Sequence, residues 1–167
     1  LDLYNGKNNK TILATVSDDC SWKLWSLPNN SLKSELIMSG DGHNDWISSV
    51  KFHPKGSAIA TCSGDTTIKF WSFTNAKCMN TFTDHTQAVW DIDFHYSGDF
   101  LASASMDHTA RLYDLHSMKQ RQLFREHVDS INCIQFIPYG STLLTGSGDK
   151  TLSLWDLRSG RCTNVLD

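Results

Sequence analysis

The stretch that decides the fold is TCSGDTTIKFW, which runs from Thr61 to Trp71. Its first five letters return in altered form as SASMD at 103–107, TGSGD at 145–149 and TVSDD at 15–19. The aromatic residues six positions after each final aspartate are Trp25, Trp71, Tyr113 and Trp155. Repetition at a fixed period predicts a fold built from stacked copies of one supersecondary unit.

The period of the repeat indicates which unit is copied. Asp65, Asp107 and Asp149 follow one another at steps of 42 residues, and the step from Asp19 to Asp65 is 46. The histidines that share the step of 42 are His43, His85 and His127. The longer first step predicts a four-residue insertion in a polar loop at 28–35. A period near 42 is typical of units with four short strands.

Alternating apolar residues and turn signals predict an all-β chain. In the second unit the expected strands are 46–52, 58–62, 68–71 and 77–82. Residues 1–4 are expected to be an inner strand, with a hairpin turn at Asn5-Gly6, and 161–166 an outer strand. The predicted units are 1–34 with its following loop, 35–82, 83–124 and 125–167.

The repeats resemble those of the WD-repeat family, whose domains are β-propellers. Trp155-Asp156 spells the WD dipeptide, and Gly42-His43 keeps the family's Gly-His pair. The resemblance implies about four four-stranded blades of a larger ring of seven or so. The remaining blades and an N-terminal region are then expected outside this segment, and the four blades are not expected to stay soluble alone.

The resemblance also implies one hydrogen-bonded chain of side chains in each blade. The second blade's chain is Asp65, His43, Thr61 and Trp71; the third's is Asp107, His85, Ser103 and Tyr113; the fourth's is Asp149, His127, Thr145 and Trp155. A buried carboxylate and imidazole are tolerable only when every donor and acceptor is satisfied. Because Tyr113 replaces tryptophan, either its phenol substitutes for the indole N–H or the chain ends early. Blade one lacks its histidine.

Composition and motifs argue against several classes of function. The 167 residues carry a net charge of −3 and no long apolar run, so neither nucleic acid nor membrane is an expected partner. The five cysteines are odd in number and include no C-x-x-C pair, so free, mostly packed thiols in a reducing compartment are expected. A Ser/Thr, His and Asp set could suggest a hydrolase, but it recurs in every unit and no G-x-S-x-G motif is present. No catalytic residue, cofactor site or metal site is predicted.

By the family pattern, three positions of each blade surround one mouth of the propeller channel. The candidates for partner binding among them are Trp46, Trp90, Met106, Asp18 and Asn132. Large aromatic residues and methionine are typical interface anchors. The alternative for both tryptophans is packing between blades. Trp22, which matches Ile68 and Leu152, is expected in the core.

A basic run lies on the expected outer strand of blade three, at Lys119, Arg121 and Arg125. Alternation predicts Lys119 and Arg121 on one face of this strand, and Arg125 is a further candidate for it. A solvated strand face is the simpler interpretation. The sharper hypothesis is contact with an acidic surface such as a tubulin tail.

Several stretches of the chain resemble one family of WD-repeat proteins, that of the central apparatus of motile cilia, and some of them, notably Leu36–Gly40 and Asp45-Trp46, lie outside the generic repeat. The strings that carry the resemblance, between about Lys10 and Cys162, are TVSDD (15–19), WKLW (22–25), LPN (27–29), ELIMSG (35–40), GH (42–43), DW (45–46), SGDTT (63–67), AVW (88–90), STLLT (141–145) and DKTLS (149–153).

This resemblance implies a non-enzymatic scaffold at the central pair of the axoneme, needed for ciliary beating. The implied location is the cytoplasm and cytoskeleton, and the implied partners are central-apparatus proteins, including armadillo-repeat ones. Contact with microtubules could be direct or indirect, and a coiled coil outside the segment would allow a dimer. The alternative is a soluble WD adaptor that docks peptide ligands or substrates for a ubiquitin ligase or a signalling complex.

Overall fold

A computed structural model describes residues 1–5, 11–27 and 33–167. These residues form sixteen strands in four antiparallel four-stranded sheets, which we call blades one to four. Blade one holds β1 (Asp2–Asn5), β2 (Thr11–Val16), β3 (Trp22–Leu27) and β4 (Glu35–Gly40). Blade two holds β5 (Ile47–Phe52), β6 (Ala58–Ser63), β7 (Ile68–Ser72) and β8 (Cys78–Phe82). Blade three holds β9 (Val89–Phe94), β10 (Phe100–Ser105), β11 (Ala110–Asp114) and β12 (Lys119–Phe124). Blade four holds β13 (Ile131–Phe136), β14 (Thr142–Ser147), β15 (Leu152–Asp156) and β16 (Arg161–Leu166).

Consecutive strands are neighbours in every blade, as expected for hairpin-linked antiparallel sheets. The prediction of an all-β propeller segment with four four-stranded units is confirmed. The described ranges contain no helix that could span a membrane.

The division between the first two units needs a correction. Glu35–Gly40, assigned to the second unit by the boundary at 34/35, pairs with β3, with Trp22 opposite Gly40 and Ser26 opposite Glu35. It is therefore the outer strand of blade one, equivalent to β8 and β12, and the boundary follows residue 40. Of the predicted Asn5-Gly6 turn, Gly6 lies outside the described residues, as do positions 28–32 of the predicted insertion.

Three hydrophobic clusters fill the spaces between adjacent blades. Trp22 of blade one contacts Trp71 of blade two, with ring centroids 5.6 Å apart. Phe124 of blade three similarly contacts Trp155 of blade four at 5.1 Å. The middle strand β6 is buried along its whole length because a neighbouring blade covers each of its faces. Apolar burial between blades is the main stabilising contribution to such a fold.

Trp22 lies in the core, as its position in the repeat predicts, and so does its equivalent Ile68. Leu152, the third member of the set, is 42% exposed. It lies on the face of blade four that no other described blade covers. The same repeat position is thus buried or exposed according to whether a neighbouring blade packs on it.

Polar contacts tie the inner strands of adjacent blades together. The backbone N–H of Phe52 donates to the carboxylate of Asp2 at 2.8 Å, and that of Phe136 donates to Asp93 at the same distance. Between blades two and three, the ammonium of Lys51 lies 3.7 Å from Asp93. These contacts set the alignment of the strands that surround the channel.

The close packing of Trp22 on Gly40 yields a test of the corrected blade boundary. A Cβ at Gly40 would overlap the Trp22 ring, so we expect Gly40→Ala to cost about 1–3 kcal/mol of folding free energy. The matched control is Gly140→Ala, since a Cβ there has no neighbour nearer than 3.6 Å. Urea unfolding of the full-length protein measures both variants. Equal midpoints for the two would contradict the packing of β4 in blade one.

Candidate functional site

A hydrogen-bonded chain of four side chains runs through blade two. The indole N–H of Trp71 donates to Thr61 Oγ1 at 2.8 Å, and Thr61 Oγ1 lies 2.8 Å from His43 Nε2. His43 Nδ1 lies 2.9 Å from Asp65 Oδ2. With a proton on Nδ1, the imidazole donates to the carboxylate and accepts from the threonine hydroxyl, so each donor has an acceptor.

Blade four repeats the arrangement. The Trp155 indole donates to Thr145 Oγ1 at 2.9 Å, and Thr145 Oγ1 lies 2.8 Å from His127 Nε2. His127 Nδ1 lies 2.8 Å from Asp149 Oδ2. The sets drawn from the repeat pattern for blades two and four are therefore each brought together.

Blade three carries a shortened chain. His85 bridges Asp107 at 2.8 Å and Ser103 at 2.7 Å. The buried hydroxyl of Tyr113 makes no hydrogen bond, so the chain ends at Ser103, the second of the two outcomes that the substitution allowed. In blade one, the Trp25 indole donates to Thr15 Oγ1 at 2.9 Å.

Burial and hydrogen bonding set the protonation of these chains. Burial lowers the pKa of His43 and His85, which keeps both imidazoles neutral against the opposing effect of their aspartates. Burial by itself would raise the pKa of Asp65. Hydrogen bonds from the Thr67 hydroxyl, the Asn44 N–H and His43 outweigh it and lower that pKa to about 2.

The chain of blade two also fixes a turn that reaches the channel mouth. Asp65 accepts from the backbone N–H of Thr67 at 2.9 Å and of Asn44 at 2.9 Å, which holds the turn from Ser63 to Thr67. Within that turn, the N–H of Gly64 donates to the carbonyl of Trp46 at 2.9 Å. The buried polar residues therefore position the backbone of a candidate partner-binding residue.

Trp46 and Trp90 lie side by side at this mouth, with ring centroids 5.0 Å apart and an interplanar angle of 30°. Trp46 covers Gly64, where a Cβ would lie 2.5 Å from the indole ring. The Trp90 indole donates to Ser130 Oγ of blade four at 3.0 Å. Trp90 nevertheless remains 36% exposed. The two tryptophans pack across blades and also offer aromatic surface to solvent.

Four of the five candidate rim residues line one open recess of about 500 Å³. Its lining residues are Asp18, Trp46, Ile47, Ser48, Trp90 and Asn132. Met106 is exposed but lies outside this lining. Ile47 joins the recess without having been among the candidates, because its apolar side chain carries no signal that separates it from a core strand residue.

Two residues of the basic run of blade three, Arg121 and Arg125, line different cavities. Arg121 lines a cavity with Phe100 and with Arg158 of blade four, whereas Arg125 lines a different one with Asp107. Lys119 and Arg121 are exposed at alternate positions of β12, whereas Arg125 lies beyond the end of that strand. Sequence reasoning missed Arg158, which only the packing of blades three and four brings beside Arg121.

Within the ranges that the structure describes, no three His, Cys, Asp or Glu side chains are grouped as metal ligands. All five cysteines are free thiols. Burial raises the pKa of the Cys62 thiol to about 12, which keeps it protonated and unreactive.

Comparison with known proteins identifies the repeat. The family described as "WD domain, G-beta repeat" matches residues 34–72, 76–114 and 118–156. The nuclear distribution protein PAC1 of Fusarium vanettenii is 33% identical over 100 residues, which is 54% of this chain and 22% of that protein. The nuclear distribution protein nudF 2 of Penicillium rubens is 41% identical over 63 residues, 38% of this chain and 14% of that protein. An F-box protein of Saccharomyces cerevisiae is 40% identical over 48 residues, 29% of this chain and 8% of that protein. The chain thus spans less than a quarter of the length of these curated relatives.

The hydrogen-bonded chain is complete in blade two and shortened in blade three, so removing a hydroxyl from each should change the stability of the protein by different amounts. Thr61→Val leaves His43 and Trp71 without their shared partner, so we expect a loss of about 1–3 kcal/mol in unfolding free energy. Tyr113→Phe removes a hydroxyl that has no partner, and we expect stability to stay the same or rise. Urea unfolding of the full-length protein measures both. A large loss for Tyr113→Phe would mean that its hydroxyl is bonded after all.

The lowered pKa values predict that stability falls with falling pH in two stages. His43 and His85 titrate below their ordinary 6.5 in the fold, so below about 6.5 the unfolded chain binds more protons and the fold loses stability. Asp65 adds a second loss as the pH falls from its ordinary 3.8 toward 2. Urea midpoints at pH 7, 5 and 3 measure both stages.

Two variants assign the first stage of this loss. His43→Gln should reduce the difference between the midpoints at pH 7 and pH 5, although the variant is less stable overall. The control Gly140→Ala, which removes no titratable group, should leave that difference unchanged. Identical midpoints for the unmodified protein at pH 7 and pH 5 would contradict buried neutral histidines.

Proposed function

Since this chain belongs to the WD-domain, G-beta-repeat family, we propose that it is part of a non-enzymatic scaffold of the motile-cilium axoneme. WD-repeat domains mediate protein–protein interactions and generally serve as scaffolds. The scaffold would join proteins associated with the central-pair microtubules and would be needed for ciliary beating. The cytoplasm and cytoskeleton are the corresponding location.

The observation that carries this proposal is a sequence resemblance that includes several positions whose side chains the fold leaves free. Leu36–Gly40 and Asp45-Trp46 resemble sperm-associated antigen sixteen, the WD-repeat protein of the ciliary central apparatus. Leu36, Ile37 and Asp45 are exposed, so packing of the repeat does not require these residue types. Likeness at such positions supports a more specific relation than a shared repeat does.

The use of the polar residues supports the non-enzymatic part of the proposal. His43, His85 and His127 are buried, and each engages an aspartate and a hydroxyl. A general base needs an imidazole nitrogen within reach of substrate, and these nitrogens already have partners. The same set occurs in three blades, as expected for a structural element.

The proposed partners follow from the same resemblance. They are central-apparatus proteins, including armadillo-repeat proteins, with microtubules contacted directly or through these partners. A dimer would form through a coiled coil outside this segment. The rim recess, with Trp46, Trp90 and Asn132, is the proposed contact surface on this chain.

A soluble adaptor is the second candidate function, and the same recess favours it. An open recess lined by two tryptophans, a carboxylate and an amide is better suited to an extended peptide than to the flat surface of a folded partner. The likeness to an F-box protein fits an adaptor that presents substrates to a ubiquitin ligase, and a signalling complex is the other setting. Met106, exposed beside the recess, would extend that docking surface.

Quantitative mass spectrometry of isolated axonemes separates the two functions. The scaffold predicts that the full-length protein is present in normal axonemes and depleted in axonemes that lack the central pair. Unchanged amounts without the central pair, or absence from axonemes, would contradict the scaffold and favour the adaptor.

A rim variant connects the outcome to this surface. Asn132→Arg places a long charged side chain in the recess at an exposed position, and we expect it to lower retention in axonemes. The matched control is Thr83→Arg, at an exposed position away from the recess lining. Equal retention of the two variants would exclude the recess as the contact surface.

A further inference from the structure

A second surface lies between blades three and four, in a cavity of about 170 Å³. Its floor is apolar and is formed by Phe100, Leu112 and Leu157. Leu112 and Leu157 are buried. Arg121 and Arg158, which also line the cavity, are exposed. The cavity therefore has an apolar floor with two cationic side chains toward solvent. We call it the arginine slot.

The guanidinium group of Arg121 packs on an aromatic ring of the slot, and each arginine has an aspartate nearby, Asp114 for Arg121 and Asp156 for Arg158. Arg121 Cζ lies 4.9 Å from the centroid of the Phe100 ring, a stacking that leaves the N–H groups at the edge of the guanidinium plane available. Among the residues described, neither arginine forms an ion pair. The nearby Asp114 and Asp156 instead accept hydrogen bonds from backbone N–H groups of their own turns.

Exposed aromatic rings extend the slot at the surface. Tyr96 and Tyr139 contact each other in a tilted arrangement with ring centroids 5.4 Å apart, and Tyr139 is 86% exposed. His95 lies against Tyr96 at 4.3 Å and also lines the slot. Tyr139 adopts a left-handed backbone with φ of 58°, which is uncommon for a bulky residue. Contiguous exposed rings of this kind are typical of interaction surfaces.

The arginine slot is distinct from the rim recess. The recess lies at the start of β9, beside Trp90, whereas the slot lies beyond its end at Phe94, beside His95. A partner at the rim would leave the slot open. Binding at the slot is therefore independent of the contact that the proposed function places at the rim.

We propose that the arginine slot binds an acidic peptide segment that carries one aromatic or aliphatic side chain among its carboxylates. The cavity is smaller than the roughly 300–1,000 Å³ typical of small-molecule sites, so it suits a single side chain. Guanidinium groups match carboxylates in charge and in bidentate geometry. The apolar side chain would occupy the floor of the slot, with carboxylates on either side bound by Arg121 and Arg158.

Fluorescence anisotropy with the full-length protein tests the proposal. The probe is a labelled peptide EEEFEE with an amidated C-terminus, measured at low ionic strength, and the matched peptide EEEAEE lacks the apolar side chain. We expect EEEFEE to bind more tightly than EEEAEE. We expect Arg121→Gln and Arg158→Gln each to raise its Kd about threefold or more, and the double variant about tenfold or more.

Arg125→Gln is the charge-matched control, because Arg125 is exposed and lines a different cavity. It should leave the Kd for EEEFEE unchanged. Absence of EEEFEE binding, equal binding of EEEAEE, or an equal loss in Arg125→Gln would each overturn the proposal. The comparison of the two peptides uses the unmodified protein and so does not depend on any variant folding.

Discussion

The constraint on which the rest of the structure depends is the satisfaction of a buried imidazole at both of its nitrogens. His43 lies between the Asp65 carboxylate and the Thr61 hydroxyl, and the hydroxyl accepts in turn from Trp71. An unpaired polar group in this low-dielectric interior would cost more than a single hydrogen bond returns. The chain therefore ties together a loop, a turn and two strands of one blade, and it accounts for the residue types that recur.

The same chain links the core of a blade to its interaction surface. Asp65 organises the turn that contains Gly64, and Gly64 both hydrogen-bonds the Trp46 backbone and leaves space for the Trp46 ring. Trp46 then packs on Trp90, which bonds to Ser130 of the following blade. A buried structural network thus positions two aromatic residues of the rim, and their contacts reach across three blades. Rigid placement of this kind lowers the entropic cost of binding a partner.

Departures from the repeat give individual blades different properties. Blade three keeps the Asp107–His85–Ser103 part of its chain, but Tyr113 fills the aromatic position without completing it. The register shift between the third and fourth strands, in contrast, recurs at the equivalent position of every blade. The arginine slot therefore depends on side chains particular to blades three and four, whereas the rim recess arises where equivalent positions of successive blades meet.

The sequence determined the repeat and the all-β class, because these depend on spacing along the chain. Together with the family resemblance it also predicted the full hydrogen-bonded chains of blades two and four and most of the rim, but not that the chain of blade three ends before Tyr113. Tertiary structure decided what depends on neighbours in space. Only strand pairing assigned Glu35–Gly40 to blade one, and only blade packing separated buried Ile68 from exposed Leu152. The meeting of Arg121 with Arg158 likewise required the contact between blades three and four. Periodicity specifies which residues are equivalent, but the covering of each face and the local register specify what each residue touches.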